Sequence, residues 1–144
     1  MNAATPDVEE LHAACHCGAV RLRVKLSDGL RSARRCTCSY CRMRGAIAVS
    51  ADLDGVTIVA GEEFLTLYEF NTKTAKHYFC SRCGIYTHHR RRSNASQYGV
   101  NVACLAGVSP FDFAEVVVSD GVNHPSDNSG KSGDAGVLRY FPTD

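Results

Sequence analysis

The stretch Cys15-His16-Cys17-Gly18-Ala19-Val20-Arg21-Leu22-Arg23-Val24-Lys25-Leu26 joins two signals that set the architecture. Its second half alternates strictly, with Val20, Leu22, Val24 and Leu26 on one side and Arg21, Arg23 and Lys25 on the other. Period-two alternation is the pattern of a half-buried β-strand, and Ser27-Asp28-Gly29 closes it with a turn. The first half is a knuckle: two thiols one residue apart, followed by a glycine that lets the backbone wrap tightly. Two more knuckles follow, Cys36-Thr37-Cys38-Ser39-Tyr40-Cys41 and Cys80-Ser81-Arg82-Cys83-Gly84. Seven of the eight cysteines therefore fall in three short segments, a clustering that packing alone does not require.

Working outward, further strands are expected at 46–50, 56–60, 64–70, 76–79, 85–89 and 98–103, with turns at Asp54-Gly55, Gly61 and Asn71. Helix is scarce. Residues 39–44 can form one turn, with Ser39 as its cap, and a second short turn is expected near Ser109-Pro110-Phe111. The Ser-, Gly-, Asp- and Asn-rich segment 126–135 reads as a surface loop, and 137–141 as a closing strand. At 144 residues the chain is the size of one domain. Residues 1–11 read as a leader and 12–144 as a single, mostly β domain with its knuckles in turns.

The formal net charge is +1, but its distribution is uneven. Residues 20–92 carry fourteen Lys/Arg against six Asp/Glu, whereas the two flanks carry two against nine. Arg34, Arg35, Arg42, Arg44 and Arg82 can neutralise thiolates or attract an anionic partner. Aromatic residues are not interleaved with the basic ones as in a stacking platform, so nucleic acid is not the expected partner. Residues 1–11 lack a basic, then apolar, export pattern, and no stretch approaches the ~18 apolar residues of a membrane helix. The expected location is the cytoplasm, where cysteines serve as metal ligands or free thiols rather than disulfides.

Cys15, Cys17, Cys80 and Cys83 supply two thiolates from each of two knuckles, the donor set of a closed, structural zinc site. Cys36, Cys38 and Cys41 place three sulfurs within six residues, enough for one turn to wrap an ion. Water or substrate as fourth ligand would make an open site. Cys104 or a histidine would close it, and an empty knuckle would be a redox-reactive thiol cluster. Cys104 lies in the apolar run Val100-Asn101-Val102-Ala103-Cys104-Leu105 and reads as a core thiol. His16 is expected to point away from the metal, and His12 and His77 to be structural. His88 and His89, followed by Arg90-Arg91-Arg92, read as a solvated hairpin tip, while His124 is kept as a candidate site residue.

The ordered set Cys15-x-Cys17-Gly18-x-Val20, Cys36-x-Cys38-Ser39-x-Cys41 and Phe79-Cys80-x-x-Cys83-Gly84 resembles the glutathione-dependent formaldehyde-activating enzyme family, also called the centromere protein V family, over roughly residues 12–125. The resemblance implies an Mss4-like fold of coiled antiparallel β-sheets. It implies two zinc ions per chain, a structural one on Cys15, Cys17, Cys80 and Cys83 and a catalytic one on Cys36, Cys38 and Cys41. The implied activity is addition of glutathione to formaldehyde to give S-(hydroxymethyl)glutathione, a carbon–sulfur lyase reaction in reverse. Its partners are then a small thiol and a small aldehyde. The charge excess nominates Arg42, Arg44 and Arg82 to hold the carboxylates of such a thiol. The alternative is a zinc-stabilised module without catalysis that contacts protein or nucleic acid.

Overall fold

A computed structural model describes residues 10–92, 94–122 and 133–144. His124 and most of the expected 126–135 loop lie outside the described residues. The strands are β1 (Glu10–Ala14), β2 (Arg21–Leu26), β3 (Arg34–Cys36), β4 (Ala48–Ala60), β5 (Leu65–Tyr68), β6 (Lys76–Cys80), β7 (Tyr86–Arg90), β8 (Gln97–Asn101), β9 (Glu115–Ser119) and β10 (Asp134–Arg139). One α-helix, α1 (Ser39–Arg44), accompanies them among the described residues, with three short 3-10 turns. No described helix is long and apolar enough to cross a membrane. This is the β-rich architecture with cysteine clusters in its turns that the Mss4-like expectation describes.

The long strand β4 organises the molecule. Its start pairs antiparallel with β8, Ala48 opposite Asn101 through Asp52 opposite Gln97, and Ala48 also faces Arg34 of β3. Its end pairs with β2, Val56 opposite Val24 and Ile58 opposite Leu22. One arm therefore runs β4-β8-β7-β6-β5, another runs β4-β2-β1, and β3-β9-β10 extends the third side. Leu26 pairs with Ala51 while Val24 pairs with Val56, so residues 52–55 form a bulge where β4 changes partners. Gly55 sits in it, and a Cβ there would lie 2.6 Å from the Lys25 carbonyl oxygen. The turn expected at Asp54-Gly55 is this bulge inside one continuous strand.

The alternation in 20–26 matches the packing. Val20, Leu22, Val24 and Leu26 are buried, and Arg21, Arg23 and Lys25 are exposed. They pack with Val49, Ala51, Val100, Val102 and Leu105 into one core that also contains Cys15 and Cys80. Each fully buried Val or Leu contributes roughly 1.5–3 kcal/mol.

Other expectations shift in detail. Strand β1 begins at Glu10, so the last two residues of the expected leader are paired with β2. The run 98–103 stops being strand at Asn101, whose side chain accepts from the Ala103 N–H at 3.0 Å and caps a 3-10 turn. Helix α1 is capped by Cys38 rather than Ser39, because the Cys38 sulfur accepts the Cys41 N–H at 3.3 Å. Strands β3 and β9, which no long alternating run announces, pair in parallel.

Candidate metal centres and the basic cavity

The turn between β1 and β2 and the turn between β6 and β7 meet at the first cysteine cluster. The backbone shapes each turn around its sulfurs. Gly18 and Gly84 adopt φ of +79° and +78°, and their N–H groups bond the carbonyls of Cys15 and Cys80 at 3.1 and 2.7 Å. The Val20 N–H donates to the Cys15 sulfur at 3.3 Å. Cys15 Sγ lies 3.7 Å from Cys17 Sγ, which lies 3.8 Å from Cys80 Sγ. All four sulfurs, including that of Cys83, are within 4.8 Å of one another. A sulfur tetrahedron around zinc at about 2.3 Å has an edge of about 3.8 Å. The four thiols are thus spaced for that ion. His16 is exposed and is not part of the cluster.

The second cluster forms where β3 and β9 end side by side. Cys36, Cys38 and Cys41 bring their sulfurs within 4.8 Å of one another. Each sulfur receives a nitrogen donor: Cys36 from the Cys38 N–H at 3.4 Å, Cys38 from the Cys41 N–H at 3.3 Å, and Cys41 from Arg44 Nη2 at 3.4 Å. Hydrogen bonds from Cys36 and Cys41, with the N–H groups of Cys41 and Tyr40, hold Cys38 far below the usual thiol range. The same sharing pushes Cys36 and Cys41 up. Three sulfurs this close repel one another as thiolates, so ionising all of them calls for a cation between them. A single soft ion on three convergent sulfurs fits this donor set.

The backbone of Asp120-Gly121 closes over this triad. The Thr37 N–H donates to the Ser119 carbonyl at 3.2 Å, and the Gly121 N–H to Thr37 Oγ1 at 3.0 Å. A Cβ on Gly121 would lie 2.3 Å from Cys36 Sγ and 2.8 Å from the Cys38 nitrogen. Among the described residues, no histidine, carboxylate or further cysteine joins the three sulfurs. Cys104 is buried elsewhere, with its thiol 3.5 Å from the Tyr86 carbonyl, and burial raises its pKa to about 12.

The triad opens into a cavity of about 420 Å³. Its charged lining among the described residues consists of Arg34, Arg35, Arg44, Arg91 and Arg92. Arg44 is the most engaged. Its Nη2 donates to Cys41, its Nη1 to His77 Nδ1 at 3.0 Å, and its guanidinium lies 3.7 Å from the centre of the Tyr86 ring. The Nε atoms of Arg44 and Arg91 are buried without a hydrogen-bond partner. Arg91 reaches Ser50 Oγ at 2.9 Å through Nη2.

Arg44 alone of the three nominated arginines borders this cavity. Arg42 lies exposed in the last turn of α1. Arg82 stands 5.3 Å over the Phe64 ring, beside the first cluster.

His88 and His89 are placed differently from the solvated tip that the sequence suggests. Both are buried, as is His77. Across the sheet Tyr68, His77, His89 and Gly99 stand opposite one another on β5 to β8. The His77 and His89 rings stack 5.2 Å apart in the cavity wall, where a Cβ on Gly99 would lie 2.4 Å from His89 Cε1. A bulge at Thr87 puts Tyr86 on the same face, and its hydroxyl lies 2.6 Å from His89 Nδ1. Burial, helped by the Arg44 charge, lowers the His77 pKa to about 4 and holds His89 well below its ordinary value. His88 faces the other way, between Tyr78 and Tyr98, and burial alone lowers it to about 4. Sequence periodicity misses this wall because the bulge breaks the parity of β7.

The family model described as glutathione-dependent formaldehyde-activating enzyme matches residues 10–117. A curated relative from Halomonas elongata, named "Putative glutathione-dependent formaldehyde-activating enzyme", is 39% identical over 82 residues, 51% of this chain and 51% of the relative. The match thus spans about half the length of that relative. A crystal structure of a Rhodobacter sphaeroides protein superposes with a TM-score of 0.72 at 60% sequence identity, covering 73% of this chain and 96% of that one.

Proposed function

Because the chain belongs to the glutathione-dependent formaldehyde-activating enzyme family, we propose that it adds a small thiol reversibly to formaldehyde or another small aldehyde. The product is a hemithioacetal, S-(hydroxymethyl)glutathione when the thiol is glutathione. The observation that carries this reading is the triad of Cys36, Cys38 and Cys41, each sulfur hydrogen-bonded, at the wall of a cavity whose charged lining is arginine. Bound there, zinc would supply a Lewis acid that favours the thiolate form of an incoming thiol at neutral pH. Cys15, Cys17, Cys80 and Cys83 would hold the structural zinc.

The chain's own residues supply the rest. Arg44, Arg91 and their neighbours line the cavity beside the triad and attract and orient carboxylates there. His77, His89 and Phe70 form ring-lined walls of the cavity beside the triad. The carbon–sulfur bond forms as the carbonyl π pair moves to oxygen, and the proton lost by sulfur is replaced by one gained at oxygen. So many closely set thiols suit a reducing compartment, and we assign the reaction to the cytoplasm.

The addition also runs without a catalyst, so the test is a rate rather than a yield. Exchange NMR on ¹³C-formaldehyde and glutathione at equilibrium should show faster interconversion with the zinc-loaded protein. The Cys38→Ser variant should keep the fold and lose that acceleration. Equal exchange rates with and without wild-type protein would instead favour a zinc-stabilised binding module.

A further inference from the structure

We propose that His77 is a catalytic hydrogen-bond donor to the aldehyde oxygen, its tautomer set by Arg44, which ties the imidazole to the Cys41 sulfur. This role rests on the aldehyde addition proposed above. Arg44 is the starting point because a guanidinium only donates hydrogen bonds. Its Nη1 lies 3.0 Å from His77 Nδ1, so Nδ1 must be the acceptor and the proton of the neutral ring must sit on Nε2. Arginine does not give up its own proton in proteins, so the assignment has no alternative of opposite polarity.

His77 Nε2 is therefore an N–H donor. The hydrogen bond at Nδ1 is the only one made by the His77 side chain among the described residues. The ring is only 4% exposed and forms part of the cavity wall, and with Nδ1 engaged by Arg44 the nitrogen left for a cavity ligand is Nε2. Neighbouring rings fix its direction: Tyr40 at 4.6 Å, Phe70 at 5.8 Å and His89 at 5.2 Å. A rigid donor lining the cavity is the arrangement that stabilises charge developing on oxygen.

The role fits the bond changes of the addition. As sulfur bonds to carbon, the carbonyl π pair becomes a lone pair on oxygen, and the His77 N–H strengthens its hydrogen bond to that oxygen without transferring its proton. The oxygen then takes a proton from solvent to give the hydroxyl, and the thiol proton is released to solvent, so protons balance. Arg44 acts on this step through His77 and is a positioning residue. One side chain spans a sulfur of the triad and the donor, so the position of His77 is tied to the cluster at which the incoming thiol would bind.

The test combines a spectroscopic and a kinetic readout on the zinc-loaded protein. Two-bond ¹H–¹⁵N correlation spectra should show His77 protonated at Nε2 and bare at Nδ1 at pH 7. Arg44→Lys, with one short-reach nitrogen in place of the fork, should blur that tautomer. His77→Phe keeps a stacking ring and removes the donor. It should retain metal content and KM while lowering the catalysed exchange about 10²–10³-fold, and His77→Gln should recover part of the loss. A ring protonated at Nδ1, or a His77→Phe variant with wild-type kcat, would overturn the role of His77 while leaving the thiol addition standing. A wild-type protein that gives no acceleration would overturn the reaction and this role with it.

Discussion

Gly121 shows how one residue can decide whether the second cluster forms. Its backbone lies so close to the triad that a methyl group would sit 2.3 Å from Cys36 Sγ and 2.8 Å from the Cys38 nitrogen. Neither neighbour can yield easily, since one is a sulfur of the packed triad and the other is backbone held by its bond to Cys36. Gly121→Ala is expected to lose the metal of the second cluster and keep that of the first. Metal analysis should then read one equivalent fewer per chain with an unchanged circular dichroism spectrum. Full metal content in the variant would show that the triad does not need this close approach.

His88 offers a residue-scale prediction of a different kind. Burial holds its pKa near 4, against 6.5 in an unfolded chain. Between those values the unfolded chain binds a proton that the folded one refuses. His88 therefore leaves stability whole above pH 6.5 and erodes it as pH falls toward 4. His77 and His89 act in the same direction. In His88→Asn, which keeps a polar partner for Thr87 Oγ1, stability should fall less steeply with acid, by about 1.4 kcal/mol per pH unit in that window. Urea titrations from pH 7 to 4.5 measure it, and because both proteins carry the same thiols, acid release of metal cancels in the difference. Parallel curves would mean that His88 is free to take up its proton in the fold.

At the scale of elements, the bulge in β4 is the joint on which the arms turn. Gly55 faces the Lys25 carbonyl so closely that Gly55→Ala must push β2 away from β4, at a cost of roughly 1–3 kcal/mol. A lower urea midpoint with unchanged metal content is expected, and an unchanged midpoint would refute the steric argument. This joint also shows where sequence reading reaches its limit. Strand β2 was legible residue by residue, because a half-buried strand writes its faces into the chain as Val20 to Leu26 do. In the sequence the β4 bulge is indistinguishable from a turn, since Asp54-Gly55 has turn chemistry whether the chain reverses or merely bends. The clustering of the cysteines was legible from spacing, because a knuckle is local. The His77 and His89 wall was not, because it depends on cross-strand register and on the extra residue Thr87, neither of which leaves a mark in a short sequence.

At the scale of the whole molecule, the two clusters do different mechanical jobs. The first joins the β1–β2 turn to the β6–β7 turn, linking two arms that also meet along β4, in the core and where Ala13 of β1 bridges to Leu105. The second gathers three residues of one segment, so its loss disconnects nothing. Magnitudes sharpen the contrast. A structural zinc binds with an apparent free energy of about 10–16 kcal/mol, comparable to the roughly 5–15 kcal/mol by which a domain is stable. Losing the first metal can therefore unfold the whole chain. Cys17 is the ligand with which to test this, because it is exposed and its replacement by serine removes a sulfur without opening a hole in the core. Cys17→Ser is expected to lower Tm by tens of degrees or to give an unfolded protein at 25 °C, whereas Cys38→Ser should shift Tm by only a few degrees. Calorimetry of the two variants beside the wild type decides it. If Cys17→Ser melts with the wild type, the β4 joint and the core hold the arms by themselves, and the first cluster is not the clip that its position between the two turns implies.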